Sequence, residues 1–248
     1  MVLCHLCKAA GFDFAIAHCN FQLRGADSER DEHFVGHLAD QLQVPFYAVK
    51  FDTKQYAQAN KLSTQVAARD LRYGWFEKIR SEQRFDFVLT AHHADDNIET
   101  VMMNFFRGTG INGLTGIKPV NGVIRRPLLF AKRTELEYHL QETQLDFVQD
   151  DSNLQDDYTR NYFRNTIMPM VAKVFPETQQ NILNNIERFK EVDILFRQEL
   201  QRLEKKLMHQ KEGDVYIPVL LLKKTPAIKT VLLEMLKPYG VQSSELPH

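Results

Sequence analysis

Three short apolar runs, residues 14–17, 46–51 and 85–90, alternate with longer stretches whose apolar residues recur at helical spacing. The first run ends in His18-Cys19-Asn20 and the third in Ala91-His92-His93-Ala94-Asp95-Asp96. That alternation leaves few folds open. Strands covered on both faces read as unbroken apolar runs, and the helices between them serve as crossovers, so the pattern specifies α/β with a largely parallel sheet. Ligands of such sheets gather at the carboxyl ends of strands, where both polar bursts stand.

The helical stretches carry their own punctuation. Val2, Leu3, Leu6, Ala9 and Ala10 form one apolar face, closed by Gly11 at a C-terminal cap position. Ser28 is placed to cap a second helix carrying Phe34, Val35, Leu38 and Leu42, stopped by Pro45. Ser63 opens a helix over residues 65–80, and residues 96–106 form another before a Gly-punctuated loop to Gly116. Beyond Asp150 the pattern turns helical, with Phe196, Leu200, Leu203 and Leu207 on one stripe. A strand-like run over residues 216–222 then begins a new region. The division expected is a catalytic domain at 1–167, a helical connector at 168–212 and the start of a further domain at 213–248.

Composition removes several classes. With 31 Lys plus Arg against 32 Asp plus Glu, the net charge of −1 gives no general attraction to nucleic acid, so any phosphate binding rests on local arginines. No stretch approaches the ~18 to 20 apolar residues of a membrane span. Three cysteines, Cys4, Cys7 and Cys19, are too few for a disulfide framework, and the start lacks the marks of a secretory signal, which together point to the cytoplasm. Cys4-x-x-Cys7 lies in an apolar helical segment and reads as buried thiols rather than zinc ligands. No two of the 11 glycines are adjacent, and no Walker loop is present. Gly108-Thr-Gly110-Ile-Asn-Gly113 spells a dinucleotide fingerprint, but it follows a helix where that motif follows a strand.

The densest polar cluster is His92, His93, Asp95, Asp96, Glu99 and Thr100. On a helix starting near Asp95, Glu99 lies one turn from both aspartates, so three carboxylates converge where they can hold Mg²⁺ or attract a cationic substrate. Asp96-x-x-Glu99 also reads as a capping box, although capping leaves two adjacent histidines unexplained. Arginines stand at element ends: Arg69 and Arg72, Arg107, Arg125 and Arg126, then Arg160 and Arg164 on one helical face.

Several long segments in order resemble the tRNA(Ile)-lysidine synthetase family. They are His18-Cys-Asn-Phe-Gln-Leu-Arg24-Gly25, Gln65-Val-Ala-Ala-Arg69-Asp-Leu-Arg72-Tyr73, and Leu89-Thr-Ala-His92-His93-Ala-Asp95-Asp96-Asn-Ile-Glu99-Thr100. Asn104-Phe-Phe-Arg107-Gly108, Arg126-Pro-Leu-Leu, and Asp151-Ser-Asn-Leu-Gln-Asp-Asp-Tyr158-Thr-Arg160-Asn161-Tyr-Phe-Arg164 continue the likeness. The resemblance implies a Rossmann-like sheet of the N-type ATP pyrophosphatase kind. It also implies a ligase that uses ATP with Mg²⁺ to adenylate C2 of the wobble cytidine in an isoleucine tRNA with a CAU anticodon, and then joins free L-lysine there. By that likeness Asp95, Asp96 and Glu99 are the catalytic carboxylates, and His18 and Asn20 lie beside the nucleotide. Arg69, His92 and Arg107 contact cytidine or phosphate, and Arg160 and Arg164 hold the tRNA. A homodimer is compatible with it.

One departure stands out. Family members carry an early Ser-Gly-Gly-x-Asp-Ser loop that cradles pyrophosphate, and here the first residues align with the helix after it. The expectations that follow are weak ATP binding, little or no activity of this chain alone, and marginal stability. Two other functions fit parts of the pattern: a metal-dependent phosphoesterase on His92, His93, Asp95 and Asp96, and a non-catalytic tRNA-binding fragment.

Overall fold

The computed structural model describes residues 1–143 and 159–241. It divides into two compact units, one of Met1–Met103 with Gly116–Leu183, the other of Asn104–Thr115 with Asn184–His248.

The first unit opens with α1 (Val2–Ala9), which ends before Gly11 at φ +72°, as the sequence led one to expect. Next come β1 (Ile16–Asn20), α2 (Ala26–Leu42) and β2 (Phe46–Lys50). The two strands are parallel, in register from Ile16 opposite Phe46 to Asn20 opposite Lys50. Ile16, Leu38, Ala39 and Leu42 are buried between sheet and helix, with Phe14, Val35 and Phe46 packed on them. Each fully buried aliphatic side chain there contributes roughly 1.5–3 kcal/mol.

Two boundaries differ from the sequence reading. The strand starts at Ile16 rather than at Phe14, and runs through His18 to Asn20. The second helix starts ahead of Ser28, which sits in its first turn and accepts a bond from the Arg24 amide at 3.2 Å. A helix the periodicity did not reveal, α3 (Thr53–Ala59), is capped by Asp52, whose Oδ1 accepts from the Gln55 amide at 2.9 Å. Then comes α4 (Thr64–Glu82), with Ser63 capping as expected.

The apolar run at 85–90 yields only β3 (Val88–Leu89). Its first residue is drawn into closing α4: the Phe85 amide donates to Arg80 O and its carbonyl accepts from the Arg80 guanidinium, both at 2.9 Å. After β3 come α5 (Ala94–Arg107), α6 (Ile111–Leu114), which with the last residues of α5 is assigned to the second unit, then β4 (Val120–Asn121) and β5 (Ile124–Arg125). β5 lies between the other two, parallel to β3 and antiparallel to β4. The unit continues through α7 (Arg133–Glu142) and α8 (Thr159–Tyr162), a π-helical turn Phe163–Ile167, and α9 (Met168–Val174). The segment from Asp151 to Tyr158 that carries part of the resemblance lies outside the described residues.

The second unit is built on the latter part of α10 (Thr178–Leu207). Leu203 and Leu207 of its expected stripe are buried with Val231 and Met235 of a later helix. A hairpin of β6 (His209–Lys211) and β7 (Asp214–Tyr216) turns at Gly213 and is followed by α11 (Val219–Leu222) and α12 (Ile228–Leu236). The strand-like run at 216–222 is therefore strand only at Tyr216. Pro218 has no N–H for a ladder and its carbonyl accepts from Leu221 and Leu222, so the chain turns helical. Among the described residues no helix is long and apolar enough to cross a membrane.

Candidate active site

The polar burst after β3 folds onto the start of α5. Thr90 Oγ1 lies 2.9 Å from His92 Nδ1, which fixes the ring just past the strand. Asp96 reaches back one turn, its Oδ2 accepting from the His93 amide at 3.0 Å. That makes Asp96 the third residue of α5, reaching back to His93 before the helix, and not the N-cap of the Asp96-x-x-Glu99 box read from the sequence. Glu99 takes no part in the cap. It turns inward, 3% exposed, and accepts two bonds from Arg164, Nε at 2.6 Å and Nη2 at 2.9 Å.

Arg160 joins the same cluster, its Nε 3.7 Å from Glu99 and its Nη2 donating to Thr100 Oγ1 at 3.1 Å. Both arginines thus project from one face toward α5, as their spacing implies, with Arg164 held in the π-helical turn. Arg164 also lies 3.7 Å from Asp96. Asp95 accepts from the Arg133 amide at 2.8 Å, a tie across many residues that nothing local in the sequence announces.

The two histidines are driven apart. Burial lowers the pKa of His92, and Arg126, Arg160 and Arg69 add to that effect against the pull of Asp96, so its ring is neutral near pH 7. Burial works the same way on His93, but Asp95 and Asp96, at 3.6 and 3.5 Å, and Glu99 outweigh it and raise its pKa. For Asp95, burial opposes ionisation and is overcome by His93 and the Arg133 amide, so its pKa falls. Burial raises the pKa of Glu99 against Arg164, while the pair of short bonds holds Arg164 protonated in spite of its own burial.

The raised pKa of His93 carries a pH dependence. Its stabilising contribution is complete below the ordinary value of 6.5 and is lost as pH rises through the higher folded value. Urea unfolding at about pH 6 and about pH 8 is expected to show a steeper loss of stability for the wild type than for His93→Gln. Parallel pH profiles would remove His93 as the cause.

A second contact fixes the loop beside this helix. Asn97 Oδ1 accepts from the Ile117 amide at 2.6 Å, and a Cβ at Gly116, where φ is +72°, would fall 2.1 Å from that oxygen. Gly116→Ala combines a left-handed backbone with a lost buried bond and should destabilise by roughly 3 kcal/mol, read as a lower urea midpoint.

The remaining expected residues are placed elsewhere. At the end of β1, Asn20 is 2% exposed and its Nδ2 donates to Glu32 at 2.8 Å and Glu29 at 3.2 Å. Lys50 closes that group on Glu29 at 2.5 Å. Burial lowers the pKa of His18, with Glu32 and Asp31 opposing. Arg69 lies over the Tyr73 ring at 4.9 Å, and Arg72 over Phe21 at 5.0 Å, with Phe21 stacked on Phe51. Arg107 is the exposed last residue of α5 and belongs to the second unit. Thr90 and Arg126 join the His92 surroundings without having been singled out for it.

Among the described residues no three His, Cys, Asp or Glu side chains are grouped to hold a metal ion. The three carboxylates do gather, but around protein partners: Asp95 on the Arg133 amide and His93, Asp96 on His93 and Arg164, and Glu99 on Arg164 and Arg160. A protein-built Mg²⁺ cage does not fit them.

A family model for the PP-loop domain matches residues 1–171. The chain belongs to the PP-loop family. It is 39% identical to the tRNA(Ile)-lysidine synthase of Parabacteroides distasonis over 230 residues, 93% of this chain and 52% of that protein. It is 38% identical to the enzyme of the same name in Bacteroides thetaiotaomicron over 246 residues, 99% of this chain and 57% of that one. This PP-loop chain therefore spans about half the length of the curated relatives it matches. Among solved structures it is similar to the U34-tRNA thiolase NcsA from Methanococcus maripaludis, with a TM-score of 0.57 over 77% of this chain and 67% of that one at 17% identity. That likeness agrees with the α/β PP-loop fold. Neither the phosphoesterase nor the non-catalytic fragment gains support from these relatives or from the carboxylate geometry.

Proposed function

We propose that this chain carries the catalytic part of a tRNA(Ile)-lysidine synthase: ATP activates the wobble cytidine of a CAU-anticodon isoleucine tRNA at C2, and the ε-amine of free lysine displaces AMP. The observation that carries this reading is the similarity along nearly the whole chain to enzymes of that name, together with the carboxylate, histidine and arginine cluster at the start of α5.

The residues take these roles. Asp95 and Asp96 face the lysine ammonium, orient it, and accept the proton it loses before attack. Glu99, held by Arg164 and Arg160, fixes the helix that presents them. Neutral His92 and the cations around it receive the phosphoryl group that leaves with AMP. His18 and Asn20 stand on the nucleotide side, and Arg69 and Arg107 bear on the RNA. Mg²⁺ would enter with the nucleotide and offset part of its negative charge. The division into a catalytic domain at 1–167, a connector and a further RNA-contacting region belongs to the same proposal, as does a cytoplasmic site of action.

The test is transfer of radiolabelled lysine to a CAU-anticodon isoleucine tRNA transcript in the presence of ATP. It is run with this chain and, alongside it, with the Parabacteroides relative. ATP-dependent label in the wobble nucleoside from the chain, even weak, supports the reading. No label from the chain, under conditions where the relative labels the transcript, overturns it.

A further inference from the structure

Arg126 is 7% exposed. Arginines are almost never so buried without an anionic partner, because an unpaired buried charge costs several kcal/mol or more. Arg160 and Arg164 meet that requirement through Glu99. Arg126 does not: among the described residues its guanidinium meets no carboxylate. Nη1 donates to the neutral carbonyl of Lys118 at 2.7 Å, and its Nε is buried with no acceptor.

Its position is equally specific. Val88 and Leu89 of β3 pair with Ile124 and Arg125 of β5, and the Thr90 amide donates to Arg125 O at 3.0 Å. Continuing that register sets Arg126 beside Thr90, the residue whose hydroxyl holds His92. Two adjacent parallel strands therefore end side by side in Arg126 and Thr90, the place where this class of sheet receives ligands. The charge of Arg126 is felt at His92, together with those of Arg160 and Arg69.

We propose that Arg126 is an anion-binding residue of this site and that its guanidinium takes a phosphoryl oxygen of the nucleotide beside His92. The inference rests on the nucleotide-dependent reading above. A side chain this buried is reached by a small ligand rather than by the backbone of a folded RNA. Three cations bearing on one neutral histidine suit a multiply charged phosphate better than the single carboxylate of an amino acid.

The arginine Nε–H resonances of the ¹⁵N-labelled chain, titrated separately with ATP, pyrophosphate, adenosine and lysine, test this without any variant. The Arg126 Nε–H signal is expected to move with ATP and pyrophosphate and to stay in place with adenosine and lysine. Calorimetry on Arg126→Gln and Arg126→Lys supplies the second readout. Binding of ATP should weaken at least tenfold in the Gln variant and less in the Lys variant, with adenosine binding unchanged in both. If ATP moves other resonances but not that of Arg126, or if lysine alone moves it, this assignment falls and the nucleotide reading stands. If ATP and pyrophosphate move no resonance at all, both fall for this chain. Should the Gln variant fail to fold, the wild-type titration decides by itself.

Discussion

Arg164→Ala is expected to cost roughly 3 kcal/mol or more of stability, because it strands a buried carboxylate. Glu99 is 3% exposed and receives both of its short hydrogen bonds from this one guanidinium. Arg160, at 3.7 Å, is too distant to replace them and only softens the loss. For a chain of this length the loss corresponds to a fall in melting temperature of about 10 °C. Arg160→Ala, by contrast, removes a partner whose side chain is 40% exposed, and about 1 kcal/mol or less is expected. Replacing Glu99 and Arg164 together by Met should recover most of the stability, since the buried carboxylate goes with its guanidinium, while half-exposed Arg160 is left to solvent and Asp96 to His93. Urea unfolding of the four proteins checks the order. Equal, small effects of Arg164→Ala and Arg160→Ala would mean that the buried pair is not what holds the start of α5 in place.

The second large effect is on chemistry. Asp96→Asn keeps an oxygen able to accept from the His93 amide, so the start of α5 should survive, but it removes the negative charge that would hold and deprotonate lysine. In the lysine-transfer reaction, the rate is expected to fall by roughly 10²- to 10⁴-fold, the usual range for a lost general base. ATP-dependent activation of the tRNA, followed as pyrophosphate release, should change much less. If both half-reactions drop together, Asp96 serves the nucleotide instead of the lysine. If neither drops, the carboxylate that acts on lysine is Asp95 or lies elsewhere.

Much of this was legible in the residues. The helix over 65–80 was announced by Ser63 and its apolar spacing, and the parallel pair around Ile16 and Phe46 by two short apolar runs with a helix between them. The cluster at 92–100 stood out because so many titratable groups follow a strand. Local signals failed where a neighbour competed. Phe85 is taken up in closing α4 against Arg80, which shortens β3, and Pro218 turns an apolar run from strand to helix.

The sequence by itself determined the fold class, the positions of most helices and the side chains able to do chemistry, because these depend on periodicity, capping and residue type within a few neighbours. Only the tertiary structure decided how those side chains are used. Glu99 and Arg164 are 65 residues apart, and Asp95 and the Arg133 amide 38. Hydrogen-bond partners at such separations are chosen by packing and by the need to satisfy buried polar groups, and no local pattern encodes them. That need drew Glu99 out of the capping role its spacing suggested and engaged the three carboxylates with His93, Arg160, Arg164 and a backbone amide. It also left Arg126, one arginine among several in the sequence, as the buried cation without a carboxylate beside it among the described residues.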